Sequence, residues 1–434
     1  MVVNSMSYAT YERYKDSGVD WLGEIPSDWE LISLNRVSKV KSISNHPNER
    51  LLSVYLEKGV IPFEDVSEKR TNGTSDNLDK YQLVDIGDFV LNNQQAWRGS
   101  VGVSNYRGII SPAYIILEIS DKLNSKFANY FFRSEKMIYQ YVIHSKGVGT
   151  IQRNLYWQSF KNSLCWIPSL EEQTKIANFL DQKTAQIDQA IALKQQQIEK
   201  LGEYKQIVIQ NAVTKGLNPN APMKDSGVEW IGDIPEHWDV KKLKNVSKVV
   251  LGKMICNEKT GNMKLKPYLK SKNIQWLKVD LNSVDEMWFT PKEMEMYRLK
   301  QGDLVLSEGG EVGKTCIWNN DLEECYIQNS AHKVTFENKQ NSKYYLYLFF
   351  SLGKQGQFEK IVNRVSIGHL TKEKLINTFV FCPPLSEQNE IVKLIDDYLI
   401  KFNEIINCYE TQIDRLKEYK NILINQAVTG KIKI

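Results

Sequence analysis

The sequence has little of what marks a membrane or secreted protein. It contains no long uncharged apolar run, so we expect no membrane-spanning helix, and residues 1–30 show no secretory signal pattern. Six residues are cysteines, and they form no C-x-x-C pair: Cys165, Cys256, Cys316, Cys325, Cys382 and Cys408. This usage favours free thiols in a reducing cytoplasm over a disulfide framework or a zinc site.

Motifs typical of catalysis are also missing. The five histidines show no H-x-x-H or H-E-x-x-H spacing, so metal-dependent hydrolysis has no support. There is no G-x-S-x-G and no G-x-G-x-x-G between a strand and a helix. The Asn/Asp-Pro-Pro-Tyr/Phe tetrapeptide with which amino-methyltransferases hold the target base is absent as well. We therefore expect a binding protein with no catalytic residue, cofactor or metal of its own.

One glycine-rich stretch, Gly309–Thr315, resembles a phosphate-binding P-loop. That motif needs four residues between its first glycine and Gly-Lys-Ser/Thr, whereas three separate Gly309 from Gly313. The position that the motif requires holds Glu308, whose carboxylate would repel a phosphate. A glycine-rich turn after a strand is the better interpretation, and a stand-alone nucleotide-binding enzyme is kept as an alternative.

A long amphipathic segment occurs twice. Residues 167–216 align without a gap with residues 382–431, at an offset of 215. Apolar residues coincide in the two copies at steps of 4, 7, 4, 7, 3 and 7, which is typical of a heptad seam. We therefore predict long helices in segments 167–216 and 382–434. The predicted seams consist of Ile176, Leu180, Ile187, Ile191, Ile198, Leu201 and Val208 in the first and Ile391, Ile395, Phe402, Ile406, Ile413, Leu416 and Leu423 in the second.

The predicted helices have recognisable ends. Ser169 and Glu172 have capping-box spacing, whereas Pro384 replaces the serine in the second copy. Gly216 and Gly430 follow the last periodic residues, where glycine most easily adopts a left-handed conformation. A helix of about 40 residues is about 60 Å long and cannot bury its seam alone. We expect the two helices to pair antiparallel; two unrelated core helices, or a purely structural coiled-coil adaptor, are the alternatives.

A shorter repeat precedes each part of the chain that differs between the halves. Lys15–Trp29 returns as Lys224–Trp238 at an offset of 209, and both copies begin with Lys-Asp-Ser-Gly-Val-(Asp/Glu)-Trp. Glycine, proline and paired tryptophans predict a turn-rich linker held by buried aromatic rings. The linker segments are 1–29 and 217–238.

The remaining segments, 30–166 and 239–381, differ in sequence but share a plan. Each has short β-rich runs, such as Asp88–Leu91 and Asp303–Leu306, followed by an aromatic stretch with helical character. We predict one α/β fold written twice. The whole chain is then an α+β protein in which two similar domains are separated by two long antiparallel coiled-coil helices, with a pseudo-twofold internal repeat.

Positive charge is concentrated in the two variable segments. Residues 30–165 hold 17 basic and 13 acidic side chains, and residues 239–380 hold 23 and 16. These segments carry a formal charge of +11, while the rest of the chain carries −7. Lysine and arginine on such segments favour a polyanionic partner such as double-stranded DNA, although a surplus of this size also arises by chance.

Polar, planar and cationic residues on predicted loops are candidates for contacts with DNA bases. Arginine and lysine suit guanine, whereas asparagine and glutamine suit adenine. Each candidate could equally be part of a solvated turn, so the group carries more weight than any member. The candidates are Arg70, Asn72, Asn92, Asn93, Gln94, Gln95, Arg98 and Arg153 in the first segment and Lys270, Lys272, Asn273, Ser307, Lys314 and Arg364 in the second.

Taken in this order, the doubled motifs resemble the specificity subunits of type I restriction–modification systems. The resemblance rests on the doubled linker, on Pro-x-Leu-x-Glu-Gln at 168–173 and 383–388, and on Leu-x-Glu-Tyr-Lys at 201–205 and 416–420. It implies two target recognition domains, each reading one half of a bipartite DNA sequence, with the paired helices fixing the spacer. It also implies two modification subunits that bind S-adenosylmethionine and methylate adenine, and restriction subunits that use ATP and magnesium.

Overall fold

The computed structural model of the chain describes residues 8–56, 58–65, 77–147, 153–228, 231–337, 339–362 and 368–434. The chain divides into two compact units, of which the first comprises Met1–Lys194 with Thr411–Ile434 and the second comprises Gln195–Glu410. Within the described ranges, no helix is long and apolar enough to cross a membrane. Each unit holds one variable segment and a part of each long helix.

The first unit consists of short strands, short helices and the first part of a long helix. In chain order these are β1 (Tyr14–Asp16), β2 (Glu24–Pro26), β3 (Glu30–Ser33), β4 (Ser38–Lys41), β5 (Leu52–Tyr55), β6 (Gly59–Pro62), β7 (Gln82–Val84), β8 (Phe89–Asn92), β9 (Val101–Val103), β10 (Gly108–Ile110), β11 (Tyr114–Ile119), α1 (Ser125–Phe132), α2 (Glu135–Ile143), β12 (Ser145–Lys146), β13 (Asn154–Leu155), α3 (Trp157–Phe160), β14 (Leu164–Ile167) and α4 (Leu170–Lys215).

A four-stranded antiparallel sheet in the order β4-β11-β8-β9 forms the centre of the first unit. Because side chains alternate along a strand, β8 contributes residues to two hydrophobic clusters, one on each face of the sheet. Phe89 and Leu91 pack with the aromatic residues of α1, and Phe89 stacks on Phe132 with ring centroids 4.1 Å apart. Val90 packs on the other side with residues of β5 and β6. Both faces of the sheet are therefore covered by apolar side chains. Burial of each such side chain contributes about 1.5–3 kcal/mol to the stability of the fold.

The second unit follows a similar order of elements, with one extra short helix before the strand that corresponds to β8. They are β15 (Met223–Asp225), β16 (Asp233–Pro235), β17 (Asp239–Lys242), β18 (Ser247–Leu251), β19 (Lys264–Leu269), β20 (Ile274–Gln275), β21 (Lys278–Val279), β22 (Asp285–Phe289), α5 (Pro291–Tyr297), β23 (Leu304–Ser307), β24 (Thr315–Ile317), β25 (Tyr326–Ile327), β26 (Ala331–Phe336), α6 (Ser342–Lys354), α7 (Gln357–Ile361), α8 (Lys372–Ile376), β27 (Phe379–Cys382) and α9 (Leu385–Val428).

The central sheet of the second unit runs β18-β26-β23-β24, which repeats the order of the first sheet. Leu304 and Leu306 of β23 pack into one cluster and Val305 into another, as the residues of β8 do. The prediction of one α/β fold written twice is therefore confirmed. The second unit differs in a three-stranded sheet, β22-β19-β25, which contains a parallel pair.

In the first unit, residues 170–194 of α4 pack against residues 411–428 of α9 in antiparallel fashion. The Lys420 ammonium donates to both carboxylate oxygens of Asp188 at 2.7 Å, and Lys194 donates to Gln412. The residue numbers of the partners thus increase along α4 while they decrease along α9, as in an antiparallel pair. The burial follows the predicted seam: Ile176, Leu180, Ile187, Ile413 and Leu423 are buried, and Ile191 and Leu416 are half-buried.

In the second unit, the remaining parts of α4 and α9 meet at Tyr204 and Phe402, whose ring centroids lie 5.7 Å apart. Val208 is half-buried, like several other seam residues, whereas its neighbour Ile209 is only 1% exposed, so the buried face of α4 has moved by one position at this end. A straight helix drifts about 20° per heptad, so a strict seven-residue step loses the buried face after several turns. Other seam residues here follow the prediction: Ile391, Ile395 and Phe402 are buried, and Ile198, Leu201 and Ile406 are half-buried.

Both helix ends fit the sequence analysis. The Glu172 amide donates to Ser169 Oγ at 3.3 Å, and Gly216 and Gly430 adopt φ values of +72° and +70°. Each of these glycines lies against a linker tryptophan, since an added Cβ would stand 3.2 Å from Trp238 at Gly216 and 3.3 Å from Trp29 at Gly430. The repeated linkers therefore close the helix ends with buried indole rings.

Candidate nucleic-acid interface

The turn that leaves β8 holds most of the predicted contacts of the first segment. Asn92 Oδ1 accepts from the Gln94 amide at 3.1 Å, and a 3₁₀ helix follows over Ala96–Arg98. Gly99 ends that helix with φ +91°, and an added Cβ would stand 3.1 Å from Ile138. Ala96 is fully buried. The turn is thus fixed by buried contacts, while the side chains of Gln94 and Arg98 are exposed.

Trp97 is the centre of a cluster that the structure assembles from two separate loops. Its indole Nε1 donates to the Gln94 carbonyl at 3.1 Å. The guanidinium carbons of Arg98 and Arg153 lie 5.9 Å and 5.1 Å from the ring centroid, within cation–π range. Two predicted candidates that are far apart in sequence therefore converge on one aromatic ring, which we call the Trp97 cluster (Trp97, Arg98 and Arg153).

A shallow depression of about 310 Å³ adjoins this cluster. Its lining includes Asn92, Gln95 and Arg98, so the structure brings three of the predicted residues to one surface. Asn92 is partly committed, because its amide also donates to the Tyr114 hydroxyl at 3.4 Å. Gln94 and Gln95 make no side-chain hydrogen bond within the described ranges, which leaves their amides available to a ligand.

The other predicted residues of the first segment are less informative. The backbone carbonyl of Asn93 accepts from the Leu155 amide at 3.1 Å, and its side-chain oxygen is buried. Arg70 and Asn72 lie outside the described residues, as does Arg364 of the second segment. These predictions stay predictions.

The equivalent turn of the second unit, between β23 and β24, carries a different cluster. Glu311 accepts from Trp276 Nε1 at 2.5 Å and pairs with the Lys314 ammonium at 2.8 Å. The Lys354 ammonium lies 3.9 Å from the same carboxylate and 5.1 Å from the Trp276 ring centroid. Lys314 also donates to Gln275 at 3.2 Å. A tryptophan and cations thus recur here, but with a carboxylate among them.

Two predicted contacts in the second segment are corrected by their burial. Asn273 is 2% exposed, and its amide donates to the carbonyls of Asp280 and Ser283 at 2.9 Å. Ser307 is also 2% exposed, and its hydroxyl donates to the Gly309 carbonyl at 2.7 Å. Polar side chains that bond the local backbone in this way shape a loop and do not face a ligand.

Lys270 and Lys272 share one carboxylate. Lys270 pairs with Asp285, and the Lys272 ammonium lies 3.6 Å from the same side chain. The hydrogen bond from Lys270 holds the pKa of Asp285 below its usual range. Burial would raise the pKa of Glu311, but hydrogen bonds from Lys314 and Trp276 outweigh it and lower that pKa as well. The described lysines predicted as contacts in the second unit therefore all have acidic partners.

The glycine-rich turn does not form a phosphate-binding loop. It joins two antiparallel strands, and the residues after Lys314 belong to β24 rather than to a helix. Gly313 has φ +77°, and an added Cβ would stand 2.2 Å from Phe358, so this glycine serves close packing. With Lys314 paired to Glu311, the alternative of a nucleotide-binding enzyme has no structural support. In the parts of the chain that the structure describes, no group of acidic, histidine or cysteine side chains could hold a metal ion.

A larger cleft of about 950 Å³ lies in the first unit between α1, α2 and the helix pair. Four of its charged groups form two ion pairs: Lys126 pairs with Asp181 at 2.8 Å, and Lys420 pairs with Asp188. Arg98 reaches both this cleft and the smaller depression. The smaller depression, with its unmatched donors, is the better candidate for recognising a ligand.

Sequence reasoning missed Trp276 and Lys354. The two residues lie 78 positions apart, and neither belongs to a recognisable motif. For Trp97, a signal was present, because an aromatic ring next to an arginine on a predicted loop is a typical cation–π pair.

Comparison with known proteins gives the same two-part division. The sequence matches the family described as "Type I restriction modification DNA specificity domain" twice, over residues 26–202 and 235–415. It is 25% identical over 429 residues to the type I restriction enzyme MjaVIII specificity subunit of Methanocaldococcus jannaschii, covering 94% of each chain. It is 21% identical over 448 residues to the EcoKI specificity subunit of Escherichia coli K12, covering 94% of this chain and 90% of the other.

Solved structures agree on the fold. A chain from a study of complex assembly and conformational transition of the type I R-M system superposes with a TM-score of 0.68 at 16% identity, covering 94% of this chain and 99% of that one. The HsdS subunit from Thermoanaerobacter tengcongensis gives a TM-score of 0.54 at 17% identity, with coverage of 94% and 98%. At these identities the comparison shows the fold alone.

Proposed function

Because the chain belongs to the type I restriction–modification DNA specificity family, we propose that it selects the DNA sequence on which such a complex acts. Each variable segment, 30–166 and 239–381, reads one half of a bipartite target. The observation that carries this proposal is the duplication: each unit has its own four-stranded sheet, and the turn after the same strand in each sheet lies beside a tryptophan with nearby cations. Two readers on one chain suit a target in two parts.

The long helices, in segments 167–216 and 382–434, set the spacing between the two readers in this proposal. A packed helix pair is a rigid spacer, whereas a flexible linker would let the spacing vary. The buried seam and the capped ends support such a role. The linkers 1–29 and 217–238 hold the helix ends in place.

The helix pair also offers docking positions for partner subunits. Tyr204 and Ile207 are 52% and 51% exposed, and their repeats Tyr419 and Ile422 are 39% and 45% exposed. Both pairs, which we call the exposed Tyr–Ile pairs, lie at matching positions at the offset of 215. Exposed apolar groups of this kind mark interaction sites. Their repetition suits two copies of one partner, which we propose to be the two modification subunits.

The chemistry belongs to the partners in this proposal. Modification subunits bind S-adenosylmethionine and methylate adenine, and restriction subunits use ATP and magnesium to act on DNA. This chain contributes recognition and assembly and has no catalytic residue. The complex works in the cytoplasm, where its DNA lies.

Mapping methylated adenines across the genome, with and without this gene, tests the proposal. We expect a gapped two-part motif that disappears on deletion. An unchanged set of methylated sites, or dependence of an ungapped motif on the gene, would contradict it. Saturable ATP binding by the isolated chain that is lost in Lys314→Ala would instead favour the nucleotide-binding alternative.

A further inference from the structure

The arginines of the Trp97 cluster differ from Arg50 and Arg107, which form ion pairs in the first recognition segment. Arg50 pairs with Glu64 at 2.5 Å, and Arg107 pairs with Glu49 at 2.9 Å. Arg98 and Arg153 have no carboxylate partner within the described residues, and both lie over the Trp97 ring. Their donors are therefore held beside the indole ring by cation–π contact and are not used by a neighbouring acid.

The support beneath the cluster makes this orientation specific. Trp97 is tied by its indole to the Gln94 carbonyl, and the 3₁₀ helix is held by buried Ala96 and by the close approach of Gly99 to Ile138. A guanidinium held against a fixed ring loses less rotamer freedom when it binds than a free one. Donors that are already ordered favour a defined acceptor pattern over a diffuse charge.

The equivalent cluster of the second unit lacks these properties. Its cations are lysines, and Glu311 neutralises Lys314 and approaches Lys354. An ammonium is a point charge without the planar fork of a guanidinium. The turns that follow β8 and β23 therefore present different chemistry.

We propose that the Trp97 cluster reads guanine: Arg98 and Arg153 donate to the O6 and N7 acceptors of guanine in the half-site of the first recognition segment. This inference rests on the proposed function and adds a base identity to it. Of the four base pairs, only the guanine edge presents two adjacent acceptors in the major groove, which the guanidinium fork matches. Gln95, in the adjoining depression, is placed to contact a neighbouring base.

The test uses the complex of the full chain with its modification subunits and duplex oligonucleotides carrying the motif from methylation mapping. Each guanine of one half-site is replaced in turn by 7-deazaguanine, which lacks N7 but pairs normally. We expect at least one replacement to weaken binding by about 5-fold or more, as expected for loss of part of a contact worth about 5- to 150-fold. The same replacement should have little effect when Arg98→Gln and Arg153→Gln are combined.

Charge-matched variants separate base reading from phosphate binding. Arg98→Lys and Arg153→Lys keep the charge but lose the fork, so we expect them to relax the guanine position almost as much as the glutamine variants. Arg36→Gln is the control, because Arg36 is exposed and also ends a 3₁₀ helix in the same unit. It should leave the motif unchanged. Equal thermal unfolding midpoints for all variants would exclude misfolding as the cause.

Two results would overturn the inference. The first is a half-site that responds to the arginine variants but contains no guanine. The second is uniform weakening on all sequences, with lysine variants close to wild type and the salt slope reduced by about 1, which identifies phosphate contacts. In either case a gapped motif that depends on the gene would still support the proposed function, so the two failures are distinguishable.

Discussion

Leu423 and Ile422 are adjacent on α9, and one of them is buried while the other is not. Leu423 is 1% exposed in the core of the first unit, whereas Ile422 is 45% exposed. Leu423→Ala removes buried apolar volume and leaves a cavity in the helix seam. Such changes cost about 2–5 kcal/mol, so we expect about 3 kcal/mol here.

Thermal unfolding of the full chain, without its partners, measures this cost. For a unit of about 220 residues, each kcal/mol shifts the midpoint by about 2–4 °C. Leu423→Ala should therefore lower the midpoint of the transition that includes the first unit by about 6–12 °C. Ile422→Ala removes a similar side chain from solvent-exposed surface and should change the stability by no more than about 0.5 kcal/mol.

The pair of variants can refute the seam directly. Equal shifts for Leu423→Ala and Ile422→Ala, or no shift for either, would mean that the two helices do not pack as described. A larger fall in the unfolding midpoint for Ile422→Ala than for Leu423→Ala would mean that α9 buries a different face from the one seen in the structure.

Three further changes test other parts of the structure. Asn403 stands where the first repeat has Asp188, and burial lowers the pKa of Lys205. Asn403→Asp should give Lys205 a carboxylate partner and raise the free energy of unfolding, measured by chemical denaturation, by about 0.2–1 kcal/mol. Gly430→Ala places a Cβ 2.4 Å from Pro26 and should destabilise the chain by more than Gly18→Ala, which has a similar φ but open space; equal costs would argue against linker closure. Replacing the isoleucine of either exposed Tyr–Ile pair by lysine should weaken assembly with the modification subunit, measured by co-purification, without changing the unfolding midpoint; unaffected assembly would remove the docking proposal.

The long helices and the duplication could be predicted because both depend on patterns local in sequence. Heptad spacing defines the buried face, and left-handed glycines mark the ends. The same reasoning did not predict the full burial of Ile209 next to Val208, since a fixed seven-residue step does not follow the true helical period over many turns. Two repeated segments in the same order, at offsets of 209 and 215, also predicted that both halves share one fold.

The recognition surfaces were harder to predict because they depend on contacts between distant residues. Arg153 reaches Trp97, and Lys354 reaches Trp276, across separations that no local spacing encodes. Asn273 is of a residue type that often contacts DNA bases, but its side-chain amide bonds the backbone of its own loop. Whether a polar loop residue faces solvent or its own backbone is decided by the packing around it.

The most direct test of two independent readers is to exchange residues 30–166 for the corresponding segment of a relative and to map the methylated sites of the resulting complex. We predict that one half of the gapped motif changes, while the other half and the spacer length stay the same. A change in both halves, or in the spacer, would contradict the account.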